Sequence, residues 1–484
     1  MEQVTSGWRR YALVQPPIMI LIFAQAITSN IFTDLIVYRT CSVILNMNET
    51  ECLLLHKNSS SAEALKIDAQ AQPKASLIIM TKSIIESIIP ALLSLFLGPW
   101  SDMYGRKSIM LAGYAGISMS SFILSFMTLW DINPWFMLIA SLPYTCLGGF
   151  CVILLGSICY ITDISHEQER GWQLAWMDAL IFTGAVTGIL AGPVIYQAYG
   201  YTAVFVCSTL CCILAGLYVC FLVPETIRNT DSGTVKSLFD TRLVKELFST
   251  CTKERDGFNR YIVWCCILCI TLRVIIMEGE STIGFLFASA RLGWDVKKYS
   301  IYMAMNMIFA IVGIMFGVKL LVTYGGTSIA FEEYKQREIF VKEKNTFVGI
   351  SEKVAVILSS LSSLCFSLVL SFTWKSWQMY LATALGIFGS VSNPMLRTIL
   401  SKSVPPVDTG KIFSMTVSIE TLTPLVAASL YSLIYSHFMP PLYPVPVWLL
   451  SVGINIIMIL IVMSMKESST IRHTPLIEDV NTLP

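Results

Sequence analysis

Twelve apolar runs punctuate the 484 residues, at about 17–38, 77–97, 108–129, 135–161, 173–196, 202–223, 261–288, 299–322, 353–373, 377–399, 412–436 and 444–465. A helix needs about 20 apolar residues to cross a bilayer. Within the hydrocarbon every backbone polar group must be satisfied inside the segment, so each run is read as a spanning helix. Charged residues make up 13% of the chain and mean hydropathy is +0.66, whereas a soluble domain carries about 25% charge. These features predict an all-α polytopic membrane protein and exclude a soluble enzyme. The stretch after Pro17 is long and is not followed by a small-residue cleavage site, so it reads as the first span and not as a cleaved signal.

Several functions are excluded early. The net charge is +1, and no basic cluster carries interleaved aromatics, so no nucleic-acid partner is expected. All four histidines (His56, His166, His437, His473) fall outside the apolar runs. Cys265, Cys266 and Cys269 share one run and read as packing residues. His166-Glu167 lacks the second histidine of a zinc motif. With no Ser/His/Asp set and no phosphate-binding glycine loop, neither an enzyme, a metal nor a cofactor is expected.

The loop at about 39–76 holds both N-x-Ser/Thr sequons of the chain, at Asn48 and Asn58, which places it on the glycosylated, outer side. Under that topology the inner segments carry about 21 of the 33 lysines and arginines and the outer ones about 8. The inner excess puts both termini in the cytoplasm. The chain divides into a first six-helix half at 1–223, a cytoplasmic linker at 224–260, a second six-helix half at 261–466 and a tail at 467–484. Two such pseudo-symmetric halves are the layout of a facilitator-type transporter, with its site near the midplane between them. The stretch Thr327–Val348 makes an unusually long loop between spans eight and nine.

Charges within spans cost roughly 2.5–3.5 kcal/mol each on insertion scales and need a partner or a hydrated cavity. Lys82 and Glu86 are four apart in span two and share a face; they read either as a self-neutralising pair or as the mouth of a substrate path. Asp178 in span five has no basic residue within a turn. Removal from water favours the neutral form of a carboxyl, so Asp178 is a candidate proton carrier, or else a helix–helix hydrogen-bonding group. Arg273 and Glu278 in span seven are five apart and meet poorly on one helix, so cross-bundle partners are expected. Arg397 follows Asn393-Pro394, a pair expected to kink span ten and free carbonyls. It reads as a guanidinium for a substrate carboxylate, or as one snorkelling to the inner surface. Asp34 and Gln25 add polarity to span one, and Gly184, Gly188 and Gly192 allow close packing of span five.

Between spans two and three lies Gly98-Pro99-Trp100-Ser101-Asp102-Met103-Tyr104-Gly105-Arg106-Lys107. Gly105 permits the positive φ of a tight turn. Asp102 suits the free N–H groups of a helix start, and Arg106 can pin a helix end through a carboxylate. Gly-x-x-x-Asp-x-x-Gly-Arg-Lys resembles the gating loop of the major facilitator superfamily at every fixed position.

Arg397-Thr398-Ile399-Leu400-Ser401-Lys402-Ser403-Val404 and Asp408-Thr409-Gly410-Lys411-Ile412-Phe413, with Trp176–Asp178 and Leu292-Gly293-Trp294, resemble the solute carrier 46 family, which includes the proton-coupled folate transporter and a lysosomal relative. The resemblance implies a symporter of small organic anions, folate-like or other conjugated carboxylates. It implies proton coupling at Asp178 and substrate or proton binding at Arg397. The reading of the spans adds Glu86 and Glu278 as proton-coupling candidates and Arg273, Asn393, Asp34 and Lys82 as substrate-binding candidates. Gating falls to Gly98, Asp102, Gly105, Arg106 and Lys107, with Asp163 as the partner of Arg106. The chain departs from the family where it has no histidine in any span, Gly149 in place of a span-four acid, and Gly293 in place of an outer cysteine. Without that cysteine the family's long-range disulfide cannot form, and Cys41 could pair locally with Cys52. The alternatives are a receptor or scaffold that does not transport, or a lysosomal exporter of another metabolite. The membrane is read as plasma or endolysosomal.

Overall fold

The computed structural model describes residues 12–52, 62–166, 169–226, 260–294, 296–323, 352–405, 408–437 and 445–465. Asn58, most of the 224–260 linker, the 327–348 loop and the tail lie outside them. Ten helices among the described residues are long and apolar enough to span a membrane. One of these, Arg170–Leu222, has 53 residues, about 80 Å at 1.5 Å per residue, which is too long for a single crossing. It is broken at Gly200 (φ 78°, ψ −175°). A further crossing is built from Ser376–Leu385, Gly389–Val391 and Ser392–Lys402. Counting both, twelve crossings result.

We label them α1 (Gln15–Arg39), α2 (Ala62–Tyr104), α3 (Arg106–Met127), α4 (Gly149–Ile164), α5 (170–199), α6 (201–222), α7 (Arg260–Leu292), α8 (Val296–Thr323), α9 (Glu352–Ser371), α10 (the pieces within 376–402), α11 (Thr409–His437) and α12 (Pro446–Ser464).

Local chemistry fixes the ends. α1 carries prolines in its first turn, where a missing N–H is harmless. α2 and α3 are separated by Gly105 alone, at φ 114°, a conformation that a side chain would strain. Ahead of α4, Asn133 accepts from Trp135 N at 3.1 Å and starts the 3₁₀ turn Pro134–Ser141.

Two expectations are corrected. The segment 62–76 is not loop but the far end of α2, a 43-residue helix. The break in α10 falls at 386–391, before Asn393-Pro394, because Pro394 sits in the first turn of the second piece, where it disturbs no ladder bond.

Packing follows membrane logic. Large apolar side chains such as Phe122, Leu214, Phe316 and Leu460 face outward, while Ser359, Ser363, Ser367 and Ser371 of α9 are buried. Without a hydrophobic drive between helices, small and hydroxyl residues bring backbones together. A Cβ at Gly184 or Gly192 would stand 2.5–2.6 Å from a backbone carbonyl oxygen of α1 (Met19, Ile27), so glycine is what permits the α1–α5 contact.

The two sets of six helices meet along α2–α11 and α5–α10 on the side that carries the Gly98–Lys107 loop. Ser94 and Ser418 hydroxyls bond each other there, Arg170 Nη1 donates to Ser401 Oγ at 2.9 Å, and Gly98 packs against Ser414. That side is sealed.

Candidate functional site

Just above the seal, three helices bring together three charges. Arg397 Nη2 donates to both carboxylate oxygens of Glu420, at 3.2 and 3.1 Å, and Nη1 lies 3.7 Å from Asp178 Oδ1. Asp178 is on α5, in the first set of six, while Arg397 and Glu420 are on α10 and α11, in the second. All three are buried, with Arg397 only 4% exposed. Asp178 is eight residues into α5, about 12 Å from its sealed end, and Glu420 is eleven residues into α11, about 16 Å. With every group ionised, two carboxylates share one guanidinium and leave one uncompensated negative charge. A buried charge excess is costly, so this cluster suits the uptake of one proton.

This arrangement corrects the sequence reading in two ways. Asp178 is not solitary, and Arg397 is not a guanidinium free for substrate, because its Nη2 already donates to both oxygens of Glu420. Neither lines either of the two cavities described below. Glu420 escaped the reading altogether, although its signal was there: it is the one carboxylate within the apolar run 412–436.

Two cavities open on the far side of the triad from the seal, one in each set of six helices. The first, about 300 Å³, is walled by α1, α2, α3, α6 and the segment 134–146 ahead of α4, and is rich in hydroxyls, among them Thr28, Ser83, Ser120 and Tyr144. Lys82 and Glu86 lie on its wall, paired at 2.6 Å, and Lys82 Nζ stands 5.1 Å from the Phe32 ring centroid. The second, about 350 Å³, is walled by α7, α8, α9, α10 and α12. Arg273, Glu278 and Glu280 line it. Arg273 Nη1 donates to Ser363 Oγ at 2.7 Å, and Ser367 Oγ donates to Glu280 Oε1 at 2.8 Å. The serine spacing of four along α9 puts both hydroxyls on one face, a pattern legible in the sequence that the reading did not use. Phe182, one turn beyond Asp178 on α5, reaches this second cavity. Two expected binding residues lie elsewhere. Asp34 accepts from the Tyr201 hydroxyl at 2.6 Å, and Asn393 is absent from both cavity walls.

At the sealed end the connector is wired into four helices. Arg106 Nη2 meets Asp102 Oδ1 at 2.5 Å and Nε meets Asp163 Oδ2, at the end of α4, at 3.1 Å. Asp102 Oδ1 also accepts from Gly410 N, in the first turn of α11, at 3.2 Å, which crosses from one set of six to the other. Glu225, just after α6, accepts from the backbone N–H of Arg106 (2.9 Å) and Lys107 (3.1 Å) and so caps α3. Lys107 Nζ donates to Cys220 O at 2.7 Å, closing the end of α6. Glu225 too was missed, though it stands in a Pro-Glu-Thr directly after span six.

A family model described as Major Facilitator Superfamily matches residues 61–331, more than half of the chain. The chain belongs to the Major Facilitator Superfamily.

Solved structures of the superfamily share its fold. The crystal structure of the human organic anion transporter MFSD10 (TETRAN) aligns with TM-score 0.68 at 14% identity, covering 94% of this chain and 100% of that one. Among curated relatives, the chain is 26% identical over 434 residues (88% of it, 80% of the relative) to the Drosophila melanogaster protein called "Probable peptidoglycan muropeptide transporter SLC46". It is 22% identical to the Gallus gallus lysosomal proton-coupled steroid conjugate and bile acid symporter SLC46A3, over 88% of each chain. It is also 22% identical to the Rattus norvegicus proton-coupled folate transporter, over 71% of this chain and 68% of that one. The protein is thus a multi-pass membrane transporter of the superfamily and not an enzyme, with similarity to solute carrier 46 members throughout.

On the far side from the superfamily's loop motif, Cys41 and Cys52 are disulfide-bonded with Cα atoms 5.9 Å apart. Asn48 is exposed on the short segment between them.

Proposed function

We propose that the protein is a proton-coupled secondary transporter of small organic carboxylates, working by alternating access. The half at 1–223 and the half at 261–466 would rock about the triad, with both termini cytoplasmic and the 39–76 loop outside, in a plasma or endolysosomal membrane. The observation that carries this reading is the Asp178–Arg397–Glu420 cluster, which straddles the two halves directly above the seal. Protonating Asp178 leaves Arg397 matched to Glu420 alone and loosens the tie between the halves. Losing the proton restores the tie. Proton occupancy and the state of the seal are coupled through one guanidinium. The proton-coupled relatives support the same reading.

Asp178→Asn removes the titrating group and keeps its shape. In proteoliposomes under an imposed pH gradient, this variant is expected to lose accumulation of a labelled substrate, identified by metabolite screening at pH 5.5 and 7.4. Exchange of that substrate without a gradient should persist and lose its pH dependence. Transport by Asp178→Asn with the wild-type pH profile rules the coupling role out.

A further inference from the structure

The ionisable groups on the cavity walls are Lys82, Arg273, Glu86, Glu278 and Glu280 among the described residues, three carboxylates against two cations. Lys82 holds Glu86, Arg273 lies against Ser363 and Glu280 accepts from Ser367. The carboxylate of Glu278 has no hydrogen-bond or ion-pair partner among the described residues, although it lines the 350 Å³ cavity. The surrounding wall is aromatic and sulfur-rich, with Tyr299, Tyr302, Phe309, Trp448, Met277 and Met303. A carboxylate set among ring faces and thioethers is chemistry that receives an organic cation: the acid supplies charge and the ring quadrupoles attract an ammonium. Among the described residues Arg273 is the one cation on this wall, against the two carboxylates of Glu278 and Glu280, so a purely anionic substrate meets a wall of net negative charge.

We infer that the cavity of the second half is a cation subsite in which Glu278 receives an ammonium or related cationic nitrogen of the substrate. The substrate is therefore zwitterionic, its carboxylate directed toward Lys82 or Arg273. This rests on the transporter reading above and narrows its substrate class.

The test uses the full chain in detergent micelles, with thermal stability read against a matched set: 4-(aminomethyl)benzoate (amine and acid), benzylamine (amine alone) and 4-methylbenzoate (acid alone). The wild type is expected to be stabilised by the zwitterion most, by benzylamine less and by 4-methylbenzoate least. Glu278→Gln should weaken apparent affinity for both amines about tenfold and leave 4-methylbenzoate unchanged, while Glu278→Asp keeps the wild-type order. Stabilisation by 4-methylbenzoate equal to that by the zwitterion, no stabilisation by either amine, or unchanged amine affinity in Glu278→Gln each overturns the subsite. The wild-type order is informative even where a variant folds poorly. The measurement needs no gradient, so a protein that fails to accumulate substrate still reports on the subsite.

Discussion

Replacing Arg397 with alanine is expected to be the most damaging single change in the membrane core. Asp178 and Glu420 would then face each other, buried, with no cation between them. Removing one member of a buried ion cluster costs about 3–5 kcal/mol, because the remaining charges are left uncompensated. The decisive comparison is with the triple variant Asp178→Asn, Arg397→Met, Glu420→Gln. It removes every charge and keeps the volume, so most of the lost stability should return while gradient-driven transport stays absent. Unfolding temperature in detergent reads the first effect and proteoliposome uptake the second. A triple variant no more stable than Arg397→Ala would mean that the guanidinium serves packing and that charge balance is irrelevant. Arg397→Lys is expected to fall between, since a single ammonium nitrogen replaces the two guanidinium nitrogens that separately reach Glu420 and Asp178.

Gly98→Val is expected to hold the loop-motif side open. A Cβ at position 98 would overlap Ser414 of α11 and come within 2.8 Å of the Gly410 carbonyl oxygen. Overpacking of this kind costs about 1–3 kcal/mol, and the cost falls only on the sealed state. The equilibrium between states should therefore shift by roughly five- to 150-fold. Ser418, which bonds Ser94 inside the seal, offers a probe. In membranes opened to both faces, a Ser418→Cys chain should react with a water-soluble thiol reagent much faster when Gly98→Val is also present, corrected for the same chain with Ser418 intact. Equal labelling rates would show that Gly98 does not set the closed contact. Gradient-driven uptake should fall as well, since a carrier held open on the loop-motif side rarely returns to the state that opens to the other side.

The candidate site was legible in the sequence to an uneven degree. The loop from Gly98 to Lys107 could be read because its parts act on near neighbours: Gly105 turns the chain and Arg106 meets Asp102 one turn away. Lys82 and Glu86 were readable for the same reason, as an i, i+4 pair on one face. Arg273 and Glu278 were expected to find partners on other helices; the structure sets both on a cavity wall, with Arg273 bonded to Ser363 of α9. Asp34, read as polarity in span one, and Asn393, read with Pro394 as a kink, were taken as binding candidates and lie away from both cavities. The cost of burial says that a partner exists without saying whether the partner is a substrate, water or another helix.

What the chain determined by itself is the number and nature of its crossings, the turn between α2 and α3, and the membership of a transporter superfamily. Apolar length, glycine conformation and the cost of an exposed backbone in lipid are local quantities, fixed residue by residue. Only the tertiary structure decided that Arg397 is held by Glu420 and Asp178, that Glu225 caps α3, and that Glu278 lines a cavity of rings. These are matters of which helix lies beside which. The pairing energy of two charges depends on a distance set by the packing of all twelve helices, and no spacing along the chain encodes it.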